Sequence, residues 1–566
     1  MDRRTLLAFF LTALVIVLTP LIFRRGMKQP ATVHGQPTDT VKNAPAAAVA
    51  PPAAATPAPA ATPAPMPAAA RGETTTVALS NAQYVFSSVG AAPEAVRLTA
   101  YSNLRPGAPR DAKATLTTAA PGAQSATQLL RFRALVGGDT LRLDTIPFHI
   151  ERSGDAIAFS STAPPGVTLK YQFARGGYLT HVTGEIGSTG STAAGQLLID
   201  LPPTLRPQDA DTLDDERHLA YAYKSTQEDA KSISFSKLDP AFVRTDSGPM
   251  TWVATRNKYF LIAVIVPNQA SSFVALRMQG GARVGKMAPT ASATAIQPLR
   301  DGRFAFDVYA GPQSWNELRA IGHDLENVNP YGGWIPGVQP FATICMRVLL
   351  WMKQTLSLSY GWVLIIFGIA VRMLLWPLNQ SAMRSSLKMQ RLQPELAEVQ
   401  KKYKSDPEKQ REALVKLYQQ HGMSPFSPVM GCLPMLLPMP VLFALFFVFQ
   451  NTIEFRGVHF LWLPDLSLRD PTYIMPIFMG ISMFVLSWIG MRAAPPNPQT
   501  KMMSYMMPVM MTVFLLNLAS GLNLYYAVQN IAALPQQWLL ARERQKVAPT
   551  AVVSTPAAAP AVKRRS

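Results

Sequence analysis

Six apolar runs govern what this chain can fold into: residues 5–23, 358–378, 429–449, 472–491, 503–518 and 521–540. A bilayer core about 30 Å thick needs roughly 20 apolar residues in a helix to cross it. Inside that core every backbone amide has to be bonded within its own element. The runs therefore predict spanning helices, and an even number places both ends of the chain on one side. Residues 5–23 follow Arg3 and Arg4, as a signal peptide would, but the segment is long and no A-x-A pattern follows it. We expect an uncleaved signal anchor over residues 1–28.

Only 15% of the 566 residues are charged, yet the net charge is +19. The basic excess is unevenly placed. Connection 379–428 carries Arg384, Lys388, Arg391, Lys401, Lys402, Lys404, Lys409, Arg411 and Lys416, whereas 450–471 carries only Arg456 and Arg469. By the positive-inside rule the first lies in the cytoplasm together with both termini. The long stretch between the first two runs is then outside, which in a two-membrane bacterium is the periplasm. It begins with an Ala/Pro-rich linker, 29–72, with too little bulky apolar content to pack. Residues 73–325 alternate in short runs such as "VTLKYQF" (167–173) and "RFAFDVY" (303–309), separated by Gly, Pro, Ser and Thr clusters. That texture predicts a β-sandwich. Residues 340–356 have the look of an interfacial amphipathic helix. The expected fold class is thus an α+β membrane protein: a six-helix membrane part, a periplasmic β-sandwich and a cytoplasmic helical hairpin.

The chemistry is marked first by what the runs lack. Every acid between 358 and 540 lies in a connection, and no histidine lies in a run. Ion-coupled transport and intramembrane proteolysis both ask for such groups, so no enzyme is expected, and no metal or cofactor. Cys345 and Cys432 sit in unlike contexts and suggest no disulfide. One cation remains: Arg372, in the run 358–378. Mid-bilayer placement costs about 2.5–3.5 kcal/mol on insertion scales. Either it snorkels to the cytoplasmic surface or it faces a wet cavity. Asn523, Tyr526 and Asn530 recur at +3 and +4, one helical face in the last run, which fits a hydrated groove or ordinary interhelical bonding. The short run 503–518 is rich in methionine, including Met503, Met506, Met507 and Met510, which suits an adaptable apolar surface or plain packing.

The basic connection is itself structured. Met389, Leu392, Leu396, Val399 and Tyr403 form a seam at +3 and +4 spacing. "SDPEK" (405–409) then supplies a cap, a first-turn proline and an early acid. A helical hairpin over 380–422 is expected.

Five stretches in order, "GIAVRMLLWPLNQ", "MQRLQPELAEVQKKY", "GCLPMLLPMPVLFALFF", "DPTYIMPIFMGISMF" and "ASGLNLYYAVQN", resemble the YidC family of membrane protein insertases in its Gram-negative form, as does "WVATRNKYFLIAVIVP" (252–267). The resemblance implies an insertase core over 358–541 and a basic cytoplasmic tail over 542–566. It implies a hydrophilic groove with Arg372, Gly368, Asn523, Tyr526 and Asn530, and an apolar slide with Met430, Leu433, Leu437, Met503, Met506, Met507 and Met510. Gly368 stands where many bacterial members carry a polar, Thr-like residue, so the groove is expected to be less polar there. Arg384, Lys388, Arg391, Lys401 and Lys402 become a docking surface on the hairpin. The implied partners are nascent inner-membrane proteins, the Sec translocon with its accessory subunits, membrane lipid, and a ribosome or targeting receptor at hairpin and tail; no DNA is expected. The expected function is insertion and chaperoning of inner-membrane proteins, alone or with Sec. The alternative is a passive anion or small-solute transporter or channel with Arg372 as its site.

Overall fold

A computed structural model of the chain describes residues 72–547, apart from 119–127, 163–164, 175, 188–194, 268–270, 330, 332–337, 404–405, 422–438 and 493–497. The expected anchor 5–23, most of the linker and the tail beyond 547 lie outside the described residues.

The alternating runs become strands. Val167–Phe173 buries every second side chain without exception, so Val167, Leu169, Tyr171 and Phe173 face the core and Thr168, Lys170 and Gln172 face water. The strand Arg303–Pro312 begins with the same alternation. Thr74–Ala78, Ala82–Ser87, Pro93–Ser102 and Lys113–Leu116 form a small antiparallel sheet. The remaining strands join a 14-stranded sheet in which the 13-residue strand Arg244–Arg256 has different neighbours at its two ends. Its first half pairs with Phe273–Gly280 and its second with Phe260–Ile265 and Ala220–Ser225, with a register shift between Ser247 and Met250. A bulge of this kind bends a strand and lets one strand serve two parts of a folded-over sheet. Phe260–Ile265 is buried on both faces, as a strand covered on both sides should be. Trp252 fills the centre and donates its indole N–H to the His323 carbonyl at 2.9 Å.

Nine helices carry labels here. Two short ones, α1 (Thr212–Arg217) and α2 (Trp315–Ile321), precede the strand Ala220–Ser225 and follow the strand Arg303–Pro312. They are followed by α3 (Val338–Leu356), α4 (Tyr360–Lys402), α5 (Pro407–Gln420), α6 (Met439–Asn451), α7 (Ile474–Arg492), α8 (Pro498–Leu515) and α9 (Ser520–Val547). The first of these, α3, is apolar on two sides. Ala342, Met346 and Leu349 are buried inward, while Ile344, Val348 and Trp351 are exposed. That is the pattern of a helix lying at a membrane surface against protein.

By length and composition two described segments can cross a membrane, Tyr360–Gln380 in α4 and Ile474–Met491 in α7. Pro440–Asn451 and Ser504–Leu515 are shorter apolar segments. The expected run 429–449 is described only from Met439, and 503–518 ends as helix at Leu515. The last run, 521–540, is helical, but Asn523, Gln529, Asn530, Gln536 and Gln537 leave it too polar to qualify on composition.

In the stretch expected as a hairpin, the described residues hold the end of α4 and the whole of α5. Asp406 accepts a hydrogen bond from the Lys409 amide at 3.1 Å, with Pro407 in the first turn of α5. Leu392, Leu396 and Val399 pack against Leu414, Leu417 and Tyr418. What the composition hid is continuity. Spanning segment and first hairpin arm are one 43-residue helix, because leaving a membrane changes which residues are tolerated, not the backbone.

Candidate functional site: the polar seam between α4 and α9

Two helices supply the site. On α4, Gly368 and Arg372 are four residues apart and share a face. A Cβ at Gly368 would lie 3.0 Å from Val528 Cγ1 and 3.6 Å from Tyr525 Cδ2. The missing side chain therefore lets α9 approach, which a threonine would resist. The close approach exposes the Gly368 carbonyl to α9, and Gln529 Nε2 donates to it at 2.7 Å and to the Tyr525 hydroxyl at 3.1 Å.

Arg372 is held one turn further on. Its Nη2 donates to Gln536 Oε1 at 2.8 Å, and Gln536 Nε2 donates to the Trp376 carbonyl at 3.2 Å. Gln536 is only 2% exposed. The Arg372 Nε is buried and has no hydrogen-bond partner among the described residues, and no ion pair to Arg372 occurs among them. The cation is thus met by a neutral dipole, and its buried Nε–H has no acceptor among the described residues.

The expected groove residues divide into two groups. Arg372 and Gly368 belong to this seam. Asn530 does not reach it: its Nδ2 donates to Ser482 Oγ on α7 at 3.0 Å. Asn523 is fully buried and donates to the Leu515 carbonyl at 3.1 Å, closing the turn between α8 and α9. Tyr526 is half-buried beside the apolar cluster that joins α3, α4, α6 and α9, its ring 5.9 Å from that of Tyr525. So α9 carries two polar rows, Asn523/Asn530 toward α7 and α8 and Gln529/Gln536 toward α4. Each has a seven-residue repeat, offset by one residue or about 100° around the axis. The second row was missed in the sequence although its spacing is as regular as the first.

Of the expected slide, Met430, Leu433 and Leu437 lie outside the described residues, as does the Met503 side chain. Met506 and Met510 are about half exposed and share an open apolar face of α8 with Val509 and Val513, while Met507 is intermediate. On the hairpin Lys401 and Lys402 are exposed; the side chains of Arg384, Lys388 and Arg391 are not described.

A second polar cluster joins the helices to the β domain, and sequence reasoning passed over it. Arg456, in the turn after α6, forms an ion pair through Nε with Asp209 and donates to the carbonyls of Ser102 and Gln208, each at 2.9 Å. Its guanidinium carbon lies 5.2 Å from the Phe260 ring centre. Nearby, Glu454 accepts from Ser314 Oγ at 3.1 Å, and burial pushes its carboxyl up to about 7. Asp465 takes hydrogen bonds from the Gly457 and Ser467 amides, both at 2.8 Å, which fixes the loop below. Among the described residues no group of histidine, cysteine or acid is placed to hold a metal ion.

Two described helices long and apolar enough to cross a membrane, one of them carrying Arg372 with no ion pair among the described residues, and a large β-rich domain are the features of an integral membrane protein. Residues 351–547 match the family described as 60Kd inner membrane protein, and residues 143–344 match the YidC periplasmic domain. The membrane protein insertase YidC of Chlorobium luteolum is 32% identical over 422 residues, covering 70% of each chain. That of Chlorobaculum tepidum is 29% identical over 568 residues, 95% of this chain and 94% of its own. A solved YidC insertase, 18% identical, covers 83% of this chain and 95% of its own at a TM-score of 0.34. The chain belongs to the YidC family of membrane protein insertases.

Proposed function

We propose that this protein integrates membrane proteins along the α4–α9 seam, with Arg372 drawing the translocating segment into the bilayer. Membership of the insertase family carries the activity; the observation that supports the route is the guanidinium held by a neutral amide with an unspent N–H. A positive charge in a partly wet site attracts an acid by about 4 kcal/mol at 4 Å when the effective dielectric is near 20, before desolvation is subtracted. That field shortens the uphill path for a polar segment, and the exposed apolar face of α8 with Met506 and Met510 receives the emerging span. No nucleotide enters the cycle.

In this reading the anchor makes six spans. Residues 29 to about 355 are periplasmic, while 379–428, 492–502 and 541–566 are cytoplasmic with both termini. The hairpin and tail receive a ribosome or targeting receptor, and the Sec translocon is a neighbour on some routes. The test is insertion of a matched pair of substrates, with and without acids in the translocated segment. Arg372→Lys should retain most insertion because the charge survives. Arg372→Ala should lose the acidic substrate preferentially. Equal insertion of the acidic substrate by all three proteins would refute the electrostatic role and leave Arg372 as a snorkelling anchor.

A further inference from the structure

A guanidinium half-buried between two helices is usually met by a carboxylate, and here it is met by an amide. Gln536 Nε2 faces the Trp376 carbonyl, an acceptor, so the side chain cannot flip without placing oxygen against oxygen and N–H against a cation. Its Oε1 is thereby fixed toward Arg372 Nη2. Because Trp376 is four residues beyond Arg372 on the same helix, one glutamine grips both a side chain and the backbone of α4. Gln529 grips α4 again at the Gly368 carbonyl, so the helix is held on either side of Arg372.

A glutamate at 536 would have nearly the same shape and the opposite effect. It would pair with the cation through a charge-assisted hydrogen bond, the stronger kind, and so neutralise it. It would also turn a carboxylate oxygen toward the Trp376 carbonyl. A methionine would keep the volume, leave the charge intact and release the guanidinium from its fixed direction.

We infer that Gln536 is a positioning residue that aims the Arg372 guanidinium while leaving its charge uncompensated, and so sets the preference of the seam for acidic translocating segments. The inference rests on the reading of Arg372 proposed above and adds that the neutral partner is as necessary as the cation.

The experiment compares full-length wild type, Arg372→Ala, Gln536→Glu and Gln536→Met in proteoliposomes, using the acidic and neutral members of one substrate pair. Each variant is also assayed for its thermal unfolding midpoint in detergent. A charge-assisted hydrogen bond corresponds to roughly tenfold or more. Gln536→Glu should therefore lower the ratio of acidic to neutral insertion by about tenfold, while its unfolding midpoint stays near that of wild type because the new ion pair offsets the lost bond to the Trp376 carbonyl. Gln536→Met should lower the same ratio by a smaller factor. A residue that only supported the fold would lower the midpoint and both substrates together. If Gln536→Glu keeps the wild-type ratio while Arg372→Ala loses it, the role of Gln536 is overturned and that of Arg372 stands. If Arg372→Ala keeps the wild-type ratio, the electrostatic reading falls and this inference falls with it.

Discussion

Arg456 and Asp209 have side chains only 3% and 5% exposed, and their ion pair ties the turn after α6 to the loop before α1. Removing one partner leaves the other charged and buried, which costs about 3–5 kcal/mol. Arg456→Met should therefore lower the unfolding midpoint more than the pair Arg456→Met with Asp209→Leu, because the double change leaves no stranded charge. Thermal unfolding in detergent checks this; equal losses would mean that water already solvates the pair. Glu454 makes a second prediction. Its folded-state value of about 7 lies above the ordinary 4.5, so the folded protein holds this proton more tightly than the unfolded chain does. Stability from this group is then full below pH 4.5, falls as pH rises toward 7 and is level beyond. The loss is at most about 3 kcal/mol. Glu454→Gln should remove that part of the slope between pH 5 and pH 8, leaving whatever Glu317, the neighbouring acid, contributes. An unchanged slope would place the titration elsewhere. Neither residue announced itself in the sequence. Arg456 looked like one sparse loop charge, and its partner lies 247 residues away. Local pattern carries no record of such a pairing. Gln529 and Gln536 differ: their seven-residue spacing is plain in the sequence, but spacing alone does not say which neighbouring helix a polar row faces.

The elements were more legible where their causes are local. Asp406, Pro407 and Glu408 specify the start of α5 within four residues, so the cap was readable without a structure. The alternation in Val167–Phe173 likewise states which face is buried. The length of α4 was not readable, since no stop signal marks the membrane boundary and helix simply continues. A Cβ on Gly480 would lie 2.1 Å from Thr512 Oγ1, so α7 and α8 are in close contact there. Gly480→Val should cost about 1–3 kcal/mol through overpacking, and Gly480→Val with Thr512→Ala should recover part of it. Chemical unfolding measures both, and full stability in the single variant would show that α7 and α8 separate freely. In the hairpin, Leu417→Asp should open the cluster with Leu392 and Leu396 while sparing the membrane core. Proteolysis confined to 384–422, with insertion impaired only for substrates delivered through a partner, is the expected outcome. Loss of the whole membrane core would make the hairpin a structural part instead.

At the scale of the molecule, orientation is the first claim to check. A single cysteine replacing Ser405, with Cys345 and Cys432 removed, should resist an impermeant thiol reagent in intact spheroplasts and react once they are opened. Labelling in intact spheroplasts would invert the topology. A broader consequence comes from α4. It is continuous from Tyr360 to Lys402 across Pro377 and Pro394, a length of about 64 Å. Arg372 lies toward one end, and the hairpin contacts begin about 30 Å further along. Prolines weaken such a shaft, yet Gln536 splints the turn just before Pro377 by holding the Trp376 carbonyl. The long arm beyond that turn magnifies any change of angle made there. A tilt of about 10° about the splinted turn would swing the far end by roughly 7 Å. A load at the tip of the hairpin and a load beside Arg372 would then act on one beam, large in displacement at the first and small at the second.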